Sequence, residues 1–148
     1  MRLEEEIKQK KFKSEKHKAV LNIIYTANWL KAHHARFLKD YEISPEQYNI
    51  LRILRGQHPK PATINLLIDR MLDKMSNASR LVEKLRMKGH VERRANEKDR
   101  RAVDVAITKK GLDLLSKLDV IVNDLEMPGQ LAEDQALILN SILDKIRD

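Results

Sequence analysis

Residues 76–108 constrain the fold most, because the spacing of apolar residues changes once within them. In SNASRLVEKLRMKG the apolar residues follow the i, i+3, i+4, i+7 spacing of one helix face, and they are Ala78, Leu81, Val82 and Leu85. After Gly89, the segments VERRA and AVDVAIT alternate apolar with polar or small residues, as half-buried strands do. The charged loop NEKDRR between them is too long for a two-residue turn. The stretch therefore predicts a helix followed by a two-stranded hairpin with a basic loop.

Residues with strong positional preferences mark the ends of these elements. Ser76 is a candidate N-cap, and Gly89 stands where a left-handed C-cap is needed. Thr108 is positioned to cap the helix that follows the hairpin.

The basic charge of the chain is concentrated in this stretch. Residues 80–101 hold nine Lys/Arg against four Asp/Glu, a balance of +5, whereas residues 111–148 hold three against eight, a balance of −5. A basic helix face beside a basic loop is the footprint expected for phosphate contact. The alternative is that the charged helix face is merely solvated. The order of small polar helix start, hairpin and arginine-bearing loop favours DNA binding.

The first turn of this helix is predicted to enter the major groove of duplex DNA. Asparagine can pair with adenine, and arginine with guanine, through two hydrogen bonds each. The candidates for base edges and flanking phosphates are Ser76, Asn77, Ser79 and Arg80. Lys84 and Lys88 are predicted to contact phosphate or solvent.

The stretch LVEKLRMKGHVERRANEKDRRAVDVAITKKGLDLL resembles the winged helix-turn-helix of the MarR family of bacterial transcription regulators. The matching features are Lys88-Gly89 at the end of the recognition helix, Val91 to Arg94 in the strand, Asp99 and Arg101 in the wing, and Thr108 and Gly111 at the next helix. Total length and helix order also fit, so the resemblance covers nearly the whole chain. One departure is Leu72-Asp73-Lys74-Met75, which replaces the usual Leu-Gly turn between the two helices.

The resemblance implies roles for the wing residues. Arg101 would enter the minor groove, and Asp99 would orient that side of the loop through an ion pair. This is physically sensible, because an aspartate near phosphates is useful only if it holds a cation in place. Further cations would add non-specific charge contacts, namely Arg93, Arg94, Lys98 and Arg100.

The composition excludes several classes of protein. The chain has no cysteine, which excludes disulfides, zinc–thiolate sites and thiol redox sensors. No apolar run approaches the ~18 residues of a membrane span, and no signal-peptide pattern is present, so we expect a cytoplasmic protein without a membrane partner. There is no glycine-rich phosphate loop, nucleophile elbow or convincing metal spacing, so we predict no enzyme, cofactor or metal site. The net charge of +7 agrees with a polyanionic partner.

The N-terminal region is predicted to be helical. Residues 1–18 form a highly charged lead-in, which is either a solvated helix end or a basic arm that touches DNA. From residue 19 to about 39, apolar residues follow two sides of a helix, which implies burial on both. Its aromatic residues are interpreted as core. Alternatively, a ligand cavity is lined by Tyr25, Trp29, His33 and Tyr48. The adjacent His33 and His34 point about 100° apart on a helix, so they are a weak metal signal.

The middle of the chain predicts two helices. Ser44 is the N-cap of the first, Pro45 takes its first position, and Gln47 can reach back as in a capping box. This helix is expected to run to about Gly56, with Ile50, Leu51, Ile53 and Leu54 facing inward. After the stiff connector HPKP, Thr63 caps a short helix that braces the recognition helix across the phosphate backbone. Its inward residues are Ile64, Leu67, Ile68 and Met71.

Two acidic amphipathic helices are predicted at the C-terminus. The first runs from Thr108 to about Glu126, Met127-Pro128-Gly129 ends it, and the second runs from about Ala132 to Ile146. Their apolar stripes need a partner, and the resemblance implies that the partner is a second protomer. Two recognition helices about one DNA turn apart would then bind a pseudo-palindromic operator.

The predicted fold class is mainly α with a small β-hairpin, a winged helix-turn-helix with dimerisation helices at both ends. Residues 1–40 form the N-terminal dimerisation region, 44–108 the DNA-binding region and 109–148 the C-terminal dimerisation helices. The predicted function is a sequence-specific, double-stranded-DNA-binding transcriptional regulator, acting as a homodimeric repressor that responds to a small-molecule effector. The alternative is a winged-helix module that binds protein and not DNA. Clustered arginines in the wing favour DNA.

Overall fold

The computed structural model describes residues 1–121 and 131–148, and it divides the chain into two units, 1–115 and 116–148. The helices of the first unit are α1 (Leu3–Glu6), α2 (Glu15–Leu38), α3 (Pro45–Gln57), α4 (Ile64–Arg70) and α5 (Ala78–Met87). A short 3-10 helix covers Lys39–Tyr41, and the strands are β1 (Ala62–Thr63), β2 (Val91–Ala95) and β3 (Val103–Ile107). Helix α6 (Lys109–Asp119) begins in the first unit and ends in the second, which also holds α7 (Glu133–Arg147). None of the helices in the described ranges is long and apolar enough to cross a membrane.

The N-terminal region forms two helices and not one continuous lead-in. Ser14 has an extended backbone and accepts a hydrogen bond from the His17 amide at 3.1 Å, which starts α2 at Glu15. The short α1 is held against α2 by an ion pair between Glu4 and Lys18. The Tyr25 hydroxyl also donates to the Glu6 carboxylate at 2.6 Å. The long helix therefore begins earlier than predicted, because Ser14 is an effective N-cap.

Helix α3 begins as its sequence predicts. The Gln47 amide donates to Ser44 Oγ at 3.2 Å, and the Ser44 amide donates to Gln47 Oε1 at 2.9 Å, which completes the capping box. The helix ends at Gln57, one residue beyond Gly56. Its four predicted inward residues are all buried, namely Ile50, Leu51, Ile53 and Leu54.

Helix α4 is short and capped by Thr63, as predicted. The Leu66 amide donates to Thr63 Oγ1 at 3.2 Å. Leu67 and Met71 are buried, but Ile68 is 39% exposed, so its inward assignment was wrong. A helix of two turns has room for few inward positions, and Leu67 is the residue of α4 that occupies one.

The sheet has three antiparallel strands in the order β1-β3-β2, and not the two that the sequence predicts. The predicted hairpin is present, with Val91 opposite Ile107 and Ala95 opposite Val103. The additional strand β1 pairs Ala62 with Val105 and Thr63 with Asp104. Two residues are too few to show alternation, so no periodic signal marks β1 in the sequence.

The core of the first unit lies where the helices meet the sheet. Helix α5 packs against α3, α4 and β2, and α3 also contacts β3. The side chains of this core that are fully buried include Ile50, Leu51, Leu67, Val82, Leu85 and Val105. This packing fixes α5 relative to strands β2 and β3, and the loop at 96–102 extends from the ends of these two strands.

The second unit exposes apolar side chains. Helix α7 begins one residue later than predicted, after Ala132, and runs to Arg147. Its exposed apolar residues are Leu137, Ile138, Leu139, Ile142 and Ile146. Helix α6 ends at Asp119, short of the predicted Glu126. The predicted end of this helix, up to Glu126, and the segment Met127-Pro128-Gly129 lie outside the described residues.

Candidate nucleic-acid interface

The N-cap of the recognition helix α5 is Asn77 and not Ser76. Asn77 Oδ1 accepts a hydrogen bond from the Arg80 amide at 3.0 Å. The Ser76 hydroxyl instead bonds to the carboxylate of Asp73, which leaves the next residue to cap the helix. With its oxygen engaged at the helix end, the amide NH2 group of Asn77 is the donor that remains for a base or a phosphate.

Some cations on the exposed side of α5 lie beside a carboxylate, and others have no ionic partner among the described residues. Glu83 accepts from Arg86, with the shortest contact at 2.7 Å, and lies 3.4 Å from Arg93 Nη1. The hydrogen bond from Arg86 holds the pKa of Glu83 below its ordinary value, so this carboxylate is ionised and offsets both arginines. Ser79, Arg80 and Lys84 are exposed, and within residues 1–121 and 131–148 neither of these two cations has an ionic partner. Arg80 and Lys84 are thus the available cations of the helix.

The C-terminal end of α5 is closed by a Schellman motif. Gly89 has a φ of 77°, its amide donates to Arg86 O at 2.9 Å, and the His90 amide donates to Leu85 O at 3.0 Å. The predicted glycine C-cap is therefore present. Lys88 differs from its prediction, because its ammonium group donates to the main-chain oxygen of Glu42.

Thr108 ties the end of α5 to the start of α6. Its hydroxyl donates to Gly89 O at 2.7 Å and accepts from the Gly111 amide at 3.2 Å. At Gly111, a Cβ atom would lie 2.4 Å from the main-chain oxygen of His90, so no larger residue fits without a shift of the backbone. The Thr-x-x-Gly pattern thus joins α5, the hairpin and α6 at one point.

The wing loop is held from inside by Asn96 and Asp99. Asn96 Oδ1 accepts from the amides of Lys98 and Asp99 at 2.9 and 2.8 Å, while its Nδ2 donates to Asp104 Oδ1 at 2.9 Å. Asp99 Oδ1 accepts from the main-chain amide of Arg101 at 2.9 Å. Asp99 takes part in none of the ion pairs seen among the described residues, so the predicted ion pair of Asp99 is absent there and its carboxylate orders the backbone of the loop instead. An amide two residues ahead is the nearer donor for a turn aspartate.

The wing cations also differ in availability. Lys98, Arg100 and Arg101 are exposed, and none of them has an ion pair in the described part of the chain. Arg94 pairs with Glu92 on its own strand, and Arg93 lies beside Glu83. Contact between Arg93 or Arg94 and a phosphate would have to compete with these carboxylates.

Two organising residues were missed at the level of sequence. Asn96 could have been found, because asparagine at the start of a polar loop favours an Asx turn. Lys31 could not, since its partners are distant in the chain. Its Nζ atom lies 2.8 Å from Glu46 Oε1 and 3.4 Å from Asp73 Oδ2, which links α2 to the start of α3 and to the turn before α5.

The predicted ligand residues are only partly brought together. Tyr25 and Trp29 line a cavity of about 350 Å³ between α1 and α2, together with Met1, Leu3, Glu6, Asn22 and Thr26. His33 stacks on Trp29 with ring centroids 5.8 Å apart, but Tyr48 is outside this lining and faces Arg52. Trp29 is 42% exposed in the single chain, so its interpretation as core stays a prediction that requires a second protomer to cover it. Among the described residues, no group of three His, Cys, Asp or Glu side chains could hold a metal ion.

Comparison with known proteins agrees with this geometry. The family model described as MarR family matches residues 41–102. No curated protein matches the sequence significantly. A crystal structure of a MarR transcription factor from Planctomyces limnophilus shares 31% identity, over 93% of this chain and 96% of that chain, with a TM-score of 0.67.

Two further structures match the fold. A cysteine-to-serine mutant of MarR from E. coli, complexed with operator DNA, shares 24% identity over 84% of this chain and 91% of that chain, with a TM-score of 0.72. The organohalide-sensing transcriptional regulator RdhR, in its 2,4-dichlorophenol-bound form, shares 19% identity over 94% of this chain and 85% of that chain, with a TM-score of 0.79. With a mainly helical fold, a three-stranded sheet bearing the wing, and close to a third of its residues shared with the Planctomyces protein over nearly the full length, the chain belongs to the MarR family of transcription regulators.

Proposed function

We propose that the protein is a sequence-specific regulator that binds double-stranded operator DNA as a homodimer, acting as a repressor whose affinity responds to a small ligand. The proposed DNA-binding residues are those predicted from the sequence, with the N-terminal turn of α5 at the bases, Arg101 in the minor groove and the other wing cations at the backbone. The E. coli relative was solved with operator DNA, which supports duplex DNA as the partner.

One observation carries the proposal. Five exposed cations without ion pairs in the described residues lie on α5 and on the wing: Arg80, Lys84, Lys98, Arg100 and Arg101. Hydrogen bonds order the backbone of both elements, through the caps in α5 and through Asn96 and Asp99 in the wing. Contact with phosphate then requires ordering of the long cationic side chains but little further ordering of the backbone, so the arrangement suits a polyanion.

Exposed apolar residues support the proposal that residues 1–40 and 109–148 form the interface of a homodimer. Helix α2 exposes Val20, Ile24 and Trp29. Helix α7 exposes Ile138, Ile142 and Ile146, which recur every four residues and so share one side of the helix. Covering both stripes with a second protomer would remove apolar surface from water and duplicate the DNA-binding region about a twofold axis.

The DNA-binding part is tested by titrating random-sequence duplex DNA across a salt series. Each phosphate contact contributes about 0.9 to the slope of log K against log salt. We expect Arg101→Ala to weaken binding and to lower the slope by about 0.9 for each wing. Lys109→Ala is the matched control, since it also removes one charge but at the opposite end of β3, roughly 17 Å away along the strand. A wild-type slope near zero would contradict DNA binding and leave a protein-binding module as the function.

The proposed effector site is the cavity beside Trp29. Its polar lining includes the Glu6 carboxylate, which accepts from Tyr25, and the side chains of Asn22 and Thr26. A carboxylate beside aromatic rings disfavours an anion and favours a neutral or positively charged aromatic ligand.

The single tryptophan reports on this cavity directly. We expect its fluorescence to respond to benzylammonium more strongly than to benzoate, a matched pair of opposite charge. Glu6→Gln should abolish that preference. Equal responses in the wild type would refute the proposed chemistry of the site, while leaving the DNA-binding proposal unaffected.

A further inference from the structure

In the turn between α4 and α5, residues 72–77, the apolar side chains are exposed, and polar side chains form hydrogen bonds with the turn itself and with α4. Leu72 is 89% exposed and Met75 is 93% exposed. The Asp73 carboxylate accepts from the Met75 amide at 3.0 Å. The Lys74 ammonium group donates to the main-chain oxygens of Ile68, at 3.1 Å, and Asp69 at the end of α4. A turn usually presents polar side chains to water, so two almost fully exposed apolar side chains on this turn are candidates for contact with an apolar group.

The conformation of this turn is fixed before any partner binds. The Leu72 amide donates to Asn49 Oδ1 on α3 at 3.0 Å, and Lys31 on α2 lies 3.4 Å from Asp73. The hydrogen bond from the Met75 amide, reinforced by Lys31 and Ser76, holds the pKa of Asp73 below its ordinary value. Met75 therefore stands on a braced backbone two residues before the N-cap Asn77.

Two exposed cations flank Met75 along the chain. Arg70 precedes it by five residues and Arg80 follows it by five, whereas Lys74 is engaged with main-chain oxygens of α4 and Lys31 offsets the charge of Asp73. An apolar side chain bordered by cations, at the start of a helix that enters the major groove, meets one apolar group on the floor of that groove: the C5-methyl of thymine.

Resting on the proposed function, we propose that Met75 determines specificity by packing against a thymine methyl group in each half-site. Methionine suits this task because its unbranched, polarisable side chain adapts to an irregular surface. It would add a thymine preference to the hydrogen bonds that Asn77 and Arg80 can form. The departure from the usual Leu-Gly turn is what supplies this side chain.

The test uses duplexes that the wild-type chain selects from a random pool, with each thymine replaced in turn by deoxyuridine. This replacement removes only the C5-methyl. At one thymine in each half-site we expect wild-type affinity to fall about fourfold, the factor for losing the burial of one methyl-sized group. In Met75→Ala the same replacement should have no effect. Because Met75 is almost fully exposed, this substitution leaves the fold intact, which thermal unfolding verifies.

Met87→Ala is the matched control. Met87 is also a methionine, 76% exposed, but it lies at the opposite end of α5, about 15 Å away along the helix axis. This variant should keep the full penalty for deoxyuridine. A penalty that persists in Met75→Ala, or that no thymine shows in the wild type, would overturn the inference while DNA binding itself stands.

Two further outcomes are decisive. If Met75→Ala changes the sedimentation of the free protein, the exposed methionine serves a contact between copies of the chain and the inference fails. If the wild type binds no duplex at any salt concentration, the proposed function fails first, and the inference fails with it.

Discussion

Replacing each of the three described glycines with alanine should change the stability of the protein by a different amount. The change should stabilise the protein at one position and destabilise it at the other two. Gly111 is the extreme case, because a Cβ atom there would lie 2.4 Å from the main-chain oxygen of His90 and 2.7 Å from Ile107 Cγ1. Real Cβ contacts essentially never fall below 3.0 Å, so the backbone around Thr108 must move. Relieving such overlap costs about 1–3 kcal/mol. The shift also weakens the Thr108 cap, which is worth about 1 kcal/mol.

Gly56 is the matched control. It lies within α3, and a Cβ atom there would have no neighbour within 4 Å. Gly56→Ala should therefore stabilise the helix by about 0.5–1 kcal/mol. Gly89 falls between the two, since its Cβ would meet only Lys110 at 3.7 Å, but its φ of 77° costs an alanine about 1–2 kcal/mol.

The measurement is denaturant unfolding at one fixed protein concentration, because the stability of a dimer depends on concentration. The expected order of stability is Gly56→Ala, wild type, Gly89→Ala and Gly111→Ala, with a span of about 2.5–5 kcal/mol between the extremes. If Gly111→Ala were as stable as Gly56→Ala, the close junction of α5, the hairpin and α6 would be refuted.

The remaining predictions concern capping, charge and pH. Asn77→Ala should destabilise the protein by about 1 kcal/mol and also relax base preference, whereas Asn77→Ser should retain stability and lose only base preference; equal stability of the two in denaturant unfolding would contradict the cap. Glu83→Gln should raise the affinity for random-sequence duplex and steepen the salt slope in titrations, because Arg86 and Arg93 lose their carboxylate. An unchanged slope would contradict the proposed contact between this side of α5 and phosphate. Burial, reinforced by Lys110 and Lys88, lowers the pKa of His90 below 6.5, so the stability linked to this residue is complete above pH 6.5 and is lost as pH falls toward the lower folded value. Unfolding free energies measured across this range should therefore depend less on pH in His90→Phe, and an identical pH profile would refute the assignment.

Periodic and capping signals predicted most of the helices and the hairpin. The capping box of Ser44 and Gln47, the Thr63 cap and the Gly89 C-cap each depend on a few adjacent residues, so local sequence suffices to find them. Strand β1 was not predicted, because two residues are too few to show an alternating pattern and they pair with a strand that is distant in the sequence. Ser76 and Asn77 are equally good caps, and the choice between them depends on Asp73, which occupies the Ser76 hydroxyl.

In the candidate site, too, local sequence shows some features, and others depend on residues that are distant in the chain. The sequence shows where the basic residues of the wing are, but not that Glu83 pairs with Arg93 and Glu92 with Arg94. The turn before α5 was recognisable as a departure from the family pattern. That its leucine and methionine would face water could not be predicted, because this depends on Asn49, which lies on another helix.

Lys31 joins three segments through one ammonium group. Its Nζ atom lies 2.8 Å from Glu46 Oε1 at the start of α3 and 3.4 Å from Asp73 Oδ2 in the turn before α5. A displacement of α2 would stretch both contacts together, so the position of the long helix is linked to the positions of α3 and of this turn. The side chain of Lys31 is 55% exposed, which makes the link a weak one.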